Sequence, residues 1–305
     1  MNTPLLQIEP TGPGAGAPPR RLPPWLRAKS GHWGRVHEMR VLLTGSRLTT
    51  VCEEARCPNQ GECWTRGTAT FMLLGDTCTR SCGFCAVATG RPGPPDPEEP
   101  RHVAEASCRL GLRFVVVTSV ARDDLRDGGA GQFAATVRAV RELNPGAQVE
   151  VLVPDFKASL ESIRTVVSSG PTIFNHNLET IERLTRQVRV QARYRRSLEV
   201  LRLAKAMGQP ITKTGIMLGL GEREAEVLEL FRDARAVGCD ILTVGQYLQP
   251  TKAHLPVVEF VHPDRFKALE VAAYGLGFKA VYSGPLVRSS YHAELTARKA
   301  EETAA

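Results

Sequence analysis

Phe71-Met72-Leu73-Leu74-Gly75-Asp76-Thr77-Cys78-Thr79-Arg80-Ser81-Cys82-Gly83-Phe84-Cys85 is the stretch that decides the fold. Phe71–Leu74 is a short apolar run ending at a glycine, the pattern of a strand covered on both faces. Comparable runs follow at Phe114–Thr118, Val149–Val153, Thr172–Phe174, Thr212–Met217 and Ile241–Val244. Between them lie amphipathic stretches of helix length, roughly 97–110, 130–143, 157–168, 178–207 and 222–237, the fourth broken or extended. Gly111, Gly170, Gly208 and Gly238 stand where these helices should stop. Strands alternating with helices imply a parallel sheet with right-handed crossovers. A doubly wound sheet would announce a cofactor by a glycine-rich first turn; here the first strand runs into cysteines. The expected fold is therefore α/β, a partial (β/α)6 TIM-type barrel, with its chemistry at the C-terminal ends of the strands. Cys78–Cys85, Ser119–Asp124, Asn175–Asn177 and Gly219–Glu222 all fall at such ends.

Around this core, at 69–250, the chain divides by composition. Residues 1–24 are rich in proline and glycine and read as a disordered tail. Residues 25–68 hold three cysteines and little periodicity, an extension wrapped around a metal. Residues 251–295 form a second extension, in which His262-Pro263-Asp264 opens a helix ending near Gly275 and Lys279–Tyr282 is a further strand. The polar end, 296–305, is expected to fray. The 305 residues suffice for a large core without disulfides. No apolar run approaches the ~20 residues of a membrane span, and no polybasic block marks a nucleic-acid tail. Lys and Arg exceed Asp and Glu by seven, a modest excess that favours acidic partners or simply a solvated basic surface.

Six of the eight cysteines lie between Cys52 and Cys85. No apolar secretory segment precedes them, so a reducing, cytoplasmic setting and metal or redox chemistry are expected. Cys78-x3-Cys82-x2-Cys85 suits a [4Fe–4S] cube with one iron left open. Such an iron can bind the amino and carboxylate groups of S-adenosylmethionine, and an electron passed to the sulfonium releases a 5′-deoxyadenosyl radical. Phe84 is placed to pack against the adenine. The alternative is a structural zinc or incidental thiols. Cys52-x4-Cys57-x5-Cys63 alone serves zinc or iron–sulfur equally; beside the other triplet it suggests a second cluster, one ligand short of four.

Here the sequence resembles the lipoyl synthases, a radical S-adenosylmethionine family, over roughly residues 23–295. The resemblance rests on both triplets, on Arg288-Ser289-Ser290-Tyr291, on Ala69–Gly75, on Thr118-Ser119-Val120-Ala121-Arg122-Asp123-Asp124 and on Asn175-His176-Asn177-Leu178-Glu179-Thr180. It implies two [4Fe–4S] clusters and insertion of two sulfur atoms, at C6 and C8, into an octanoyl chain amide-linked to a lysine of a lipoyl-carrier domain. Each insertion consumes one S-adenosylmethionine. The first triplet's cluster is implied to be the sulfur donor, with a serine of the Arg-Ser-Ser-Tyr motif as its fourth ligand. Ser290 is the assignment and Ser289 the alternative. A serine ligand is hard and weak for iron, which suits a cluster meant to be dismantled. The implied partners are carrier domains of E2 subunits and the glycine cleavage H protein, commonly acidic; a flavodoxin or ferredoxin as electron donor; and iron–sulfur assembly proteins.

Other residues carry competing readings. Thr118, Ser119, Asp123 and Asp124 are candidate S-adenosylmethionine contacts, against solvated turn residues or a local Arg122 pair. Asn175 and His176 shape a pocket or, for the histidine, satisfy the core. Gly219, in Gly215–Glu222, lines the cofactor site or belongs to an ordinary strand–helix turn begun by Glu222. Lys213, inside an apolar strand, is costly to bury without a partner. Arg288 stabilises the cluster loop or contacts substrate, or lies at the surface. Cys108 and Cys239 read as structural. The competing functions are another two-cluster radical enzyme, biotin synthase-like or methylthiolating, and an iron–sulfur electron carrier or zinc-stapled binding module.

Overall fold

A computed structural model describes residues 22–26, 37, 48–54, 57, 59–66, 68–291 and 294. The expected tails fall outside the described residues, apart from 22–24 at the start of the chain. The elements are β1 (Thr49–Thr50), α1 (Val51–Glu54), α2 (Gln60–Thr65), β2 (Thr68–Leu73), β3 (Thr77–Cys78), β4 (Ala88–Thr89), α3 (Glu99–Arg109), β5 (Phe114–Ser119), α4 (Ala130–Leu143), β6 (Gln148–Leu152), α5 (Leu160–Ser168), β7 (Ile173–Asn175), α6 (Glu182–Val188), α7 (Tyr194–Ala206), β8 (Thr212–Leu218), α8 (Glu224–Ala236), β9 (Ile241–Gln246), α9 (Pro263–Gly275) and β10 (Ala280–Ser283). No helix among the described residues is long and apolar enough to cross a membrane.

One eight-stranded sheet runs β1-β2-β5-β6-β7-β8-β9-β10. β1 is antiparallel to β2, and every other pairing in it is parallel. Its edges, β1 and β10, are not paired with each other, so the barrel is partial. The sheet exceeds the expected six strands. The segment expected at Lys279–Tyr282 becomes β10, parallel to β9, because α9 supplies one more crossover. β2 also begins earlier than its apolar run, at Thr68. Thr68 and Thr70 are polar yet buried, because they line a pocket with Cys52, Cys57 and Cys63.

In-register parallel partners share a face of the sheet. Phe114 and Val116 meet Ile173, Ile211, Ile241 and Ala280 in a small interior plug. The alternate residues, Val115, Val117, Val149 and Val151, turn outward onto Val103, Phe133, Val137 and Ile163 of α3, α4 and α5. In the second half Leu242 and Val244 pack with Leu230, Phe231 and Phe266 of α8 and α9. The interior also holds Lys213, whose Nζ lies 3.0 and 2.9 Å from the two Glu150 carboxylate oxygens. Asn175 Nδ2 donates to the same carboxylate at 2.7 Å. All three residues are fully buried, so Glu150 is the partner that Lys213 requires.

The four glycines expected to end helices do so in the left-handed backbone region. The expected 178–207 helix is two helices, broken where Arg189 leaves to form a bridge with Cys82. The helix expected from 157 starts at Leu160, N-capped by the Ser159 hydroxyl. Phe156, Lys157 and Ala158 ahead of it have φ of 42°, 52° and 60°, a strained left-handed turn beside the end of β6.

Candidate functional site

Beyond β2 the second triplet forms a loop fastened from three directions. Thr79 binds the Ala121 carbonyl through its N–H (3.0 Å) and its hydroxyl (2.8 Å). Cys78 Sγ accepts the N–H groups of Arg80 (3.4 Å) and Ala121 (3.3 Å). The Gly83 N–H donates to Val188 O at 2.9 Å, and Leu255 N–H to Gly83 O at 3.0 Å. His254 Nε2 lies 2.9 Å from Cys85 O. The match over Thr118–Asp124 thus has a local cause, because that segment holds the cysteine loop. Phe84 is partly buried and packs onto the second-half core.

The two acids after β5 meet arginines. Asp123 takes Arg80 Nε at 2.6 Å and Nη2 at 2.8 Å. Asp124 takes the local Arg122 pair, Nη2 to Oδ2 at 2.9 Å. Arg80 also reaches the fully buried Asp155 at 2.7 Å, and Arg196 Nε reaches it at 2.8 Å. Burial alone would raise the Asp155 pKa, but hydrogen bonding and charge from Arg80 outweigh it and hold the carboxyl well below the carboxylate range. A depressed folded pKa gives stability that is present above the unfolded value, about 4, and lost as pH falls toward the folded one. Wild type is therefore expected to lose stability as pH drops below about 4. Asp155→Asn should flatten that loss and cost roughly 3–5 kcal/mol at neutral pH. Urea unfolding across this pH range checks both effects.

Four buried polar atoms after β5 and β7 have no hydrogen-bond partner: Ser119 Oγ, Asn175 Oδ1, His176 Nε2 and Asn177 Oδ1. Native interiors rarely leave such atoms unpaired, so each is one that a water, an ion or a ligand would satisfy. His176 Nδ1 lies 2.8 Å from Val153 O, and burial, aided by the Arg189 charge, lowers its pKa to about 4. The ring is neutral, its Nδ1–H donates to Val153, and Nε2 is a bare acceptor. The core reading of His176 is met at Nδ1, while Nε2 has no partner. Thr118 Oγ1 donates to Leu152 O at 2.8 Å. At Gly219, φ is +103°, and a Cβ would overlap Gln246 Nε2 and the Glu259 carbonyl. Glu222 Oε2 accepts the N–H groups of Gly219 (2.9 Å) and Leu220 (3.0 Å). That is the tied strand–helix turn.

Asn177 and Glu179 were not singled out as site residues, although both stand in a quoted motif. Glu179 has φ +64°, uncommon for a non-glycine residue. Its carboxylate accepts Asn177 Nδ2 at 3.0 Å. Burial raises its pKa, with Arg189 opposing. Its charge in turn raises the Cys82 and Cys85 thiols, which places it beside the cysteine loop. His254 and Arg189 lie far from the triplet in sequence, and nothing in the pattern pointed to them.

The first triplet forms a second site. Cys52 lies on α1, Cys63 on α2, and Cys57 N–H donates to Cys52 O at 3.0 Å between them. The C-terminal strap closes over them. Asn59 Nδ2 donates to Leu286 O at 2.6 Å, Tyr291 OH to Glu62 Oε2 at 3.2 Å, and Thr68 Oγ1 to Glu294 Oε2 at 3.1 Å. One pocket results, lined by Cys52, Cys57, Cys63, Gln60, Arg288 and Ser290 among others. Of the two serines, Ser290 lines it. Gln60 Nε2 is buried there without a partner, an N–H that sulfur can accept.

These residues fit iron–sulfur clusters. Burial, then the neighbouring Cys57 charge, pushes the Cys52 thiol up to about 11, and burial pushes Cys82 to about 12 against the opposing charge of Arg189. Burial raises Cys57, Cys63 and Cys85 as well. Sulfurs crowded in this way release their protons to a metal. Among the described residues no three His, Cys, Asp or Glu converge on a single-ion site. A tetrahedral zinc needs sulfurs about 3.8 Å apart, whereas a cube gives each thiolate its own iron.

Residues 72–234 match the model of the Radical SAM superfamily. Among solved structures the chain is similar to methylornithine synthase (TM-score 0.53, 15% identity, 92% of this chain and 90% of that one). It is also similar to HydG, a maturase of the [FeFe]-hydrogenase (TM-score 0.56, 15% identity, 77% and 62%). These likenesses show the fold, a radical SAM partial barrel. The lipoyl synthase of Thermus thermophilus is 55% identical over 90% of this chain and 86% of its own length. That of Chromobacterium violaceum is 52% identical over 92% and 90%. With half its residues shared across nine-tenths of its length, the chain belongs to the lipoyl synthase family of radical S-adenosylmethionine enzymes.

Proposed function

We propose that the chain inserts two sulfur atoms, at C6 and C8, into an octanoyl group amide-linked to a lysine of a lipoyl-carrier domain, using two S-adenosylmethionine. Cys78, Cys82 and Cys85 hold one [4Fe–4S] cluster; Cys52, Cys57, Cys63 and Ser290 hold the other. When bound, the clusters supply the electron that cleaves S-adenosylmethionine and the sulfur that is transferred. The observation that carries this reading is the C-terminal strap, which brings Ser290 into the three-cysteine pocket. The described residues among 52–68 in the 25–68 extension and Arg288, Ser290 and Tyr291 of the 251–295 extension face each other across that pocket, beside a core at 69–250.

The rest of the chain orients and encloses. Ser119, Asn175, His176 Nε2 and Asn177 offer unpaired polar atoms to the methionine or ribose groups of S-adenosylmethionine. The Glu179 carboxylate is placed to accept from an ammonium or hydroxyl. Asp123 and Asp124, held by arginines, fix the loop that carries Cys78. Phe84, Thr118 and Gly219 shape the walls. Carrier domains of E2 subunits and of the glycine cleavage H protein are the partners, with a flavodoxin or ferredoxin as donor and iron–sulfur assembly proteins to rebuild the second cluster.

The test is mass spectrometry of an octanoyl-lysine lipoyl-domain peptide incubated anaerobically with reconstituted protein, S-adenosylmethionine and reductant. The expected product gains two sulfurs as the dithiol, and loses two hydrogens only on later oxidation to the disulfide; Cys52→Ala abolishes it. Unchanged peptide with 5′-deoxyadenosine still formed would redirect the substrate to that of another two-cluster radical enzyme. Absence of 5′-deoxyadenosine with both clusters verified would leave an electron carrier.

A further inference from the structure

Gly245 lies near the end of β9, fully buried in the sheet. Its φ is not positive, so the backbone does not demand glycine there. Contact does. A Cβ at this position would overlap the Val287 carbonyl oxygen and fall 3.2 Å from the Val287 carbonyl carbon and 3.5 Å from Arg288 Nη1. The overlapping atom is backbone, so no side-chain rotation relieves it.

Neither side can drift away. Next to Gly245, the buried Gln246 amide donates to Leu218 O (3.1 Å), Tyr247 O (3.0 Å) and Glu259 O (3.0 Å), and its oxygen accepts Val261 N–H at 2.8 Å. β9 is therefore fixed. The strap is seated on it through Gly284 N–H to Val244 O (3.0 Å) and Arg288 Nη1 to Gln246 O (3.2 Å). On its other side Asn59 grips Leu286 O. Ser290 follows Val287 by three residues.

We infer that Gly245 is a positioning residue for the auxiliary cluster: the missing side chain seats the Val287 carbonyl against β9, and that seating delivers Ser290 to the three-cysteine pocket. The inference rests on the proposed reading of that pocket as a cluster site. A side chain at 245 lifts the strap, and metal–ligand distances tolerate only about 0.2 Å of error.

The test compares full-length wild type, Gly245→Ala and Cys52→Ala after anaerobic reconstitution. It measures iron per chain, hydrogen exchange over residues 284–291, 5′-deoxyadenosine and thiolated peptide. Gly245→Ala is expected to keep about four of about eight irons, exchange faster over the strap, retain 5′-deoxyadenosine formation within about twofold and lose thiolation at least about 100-fold. A folded Gly245→Ala with full iron and wild-type exchange overturns the inference, provided that Cys52→Ala loses its four irons. Full iron in Cys52→Ala overturns the cluster reading and the inference with it. If Gly245→Ala does not fold, Asn59→Ala, which removes the buried side-chain bond to Leu286 O and so loosens the strap, decides alone. Faster loss of auxiliary iron to a chelator supports the seating, and wild-type retention overturns it.

Discussion

Cys82→Ala is expected to reduce 5′-deoxyadenosine formation at least about 1,000-fold, because the cofactor chemistry stops when its cluster loses a ligand. The loop itself should persist. Its anchors are backbone groups, Gly83 N–H to Val188 O and Leu255 N–H to Gly83 O, and the antiparallel bridge to Arg189 survives an alanine. Four irons should remain at the first triplet, since Asn59, Glu62 and Thr68 tie that pocket to the strap without using the Cys82 loop. Cys108→Ala is the control, an exposed thiol on α3 that leaves both clusters intact. Product chromatography together with iron analysis checks the result. S-adenosylmethionine cleavage persisting in Cys82→Ala would remove the second triplet from the reaction.

The second large effect is on stability. Lys213→Met leaves the Glu150 carboxylate fully buried, with the Asn175 amide as its one remaining hydrogen-bond donor among the described side chains. Breaking a buried pair from one side costs roughly 3–5 kcal/mol, a fall in thermal midpoint of roughly 6–20 °C for a core of this size. The double variant Lys213→Met with Glu150→Leu removes both charges and should recover most of the loss, because apolar replacements of similar volume often equal a buried ion pair. Scanning calorimetry of the two single variants and the double closes the cycle. A double variant no more stable than Lys213→Met would show that the carboxylate is not what the lysine neutralises.

The clearest sequence signals were those in which a local pattern carries the physics. Short apolar runs such as Phe114–Thr118, rich in β-branched residues, read as strands buried on both faces, and glycines such as Gly170 end helices because they enter the left-handed region cheaply. The burial problem of Lys213 was visible from its strand, because a lysine in an apolar run needs a partner. Its partner was not visible. Glu150 lies 63 residues away, and only the register of β6, β7 and β8 brings the two together. Asp123 and Asp124 read as ligand contacts or as turn residues with a local Arg122 pair, since a carboxylate at a strand end serves either; that Arg80 meets Asp123 came only from the fold.

What the sequence determined alone was the inventory: two cysteine triplets with their spacing, a serine-bearing C-terminal motif, and the alternation that makes a parallel barrel. These are properties of neighbouring residues, so they survive being written in one dimension. What the tertiary structure decided was every pairing across distance. Asn59 meets Leu286 across 227 residues, Ser290 rather than Ser289 lines the three-cysteine pocket, and Gly245 is small because a carbonyl from the strap lies against it. Spacing within one segment is set by covalent geometry, whereas the meeting of segments far apart in the chain is set by how the sheet folds them together.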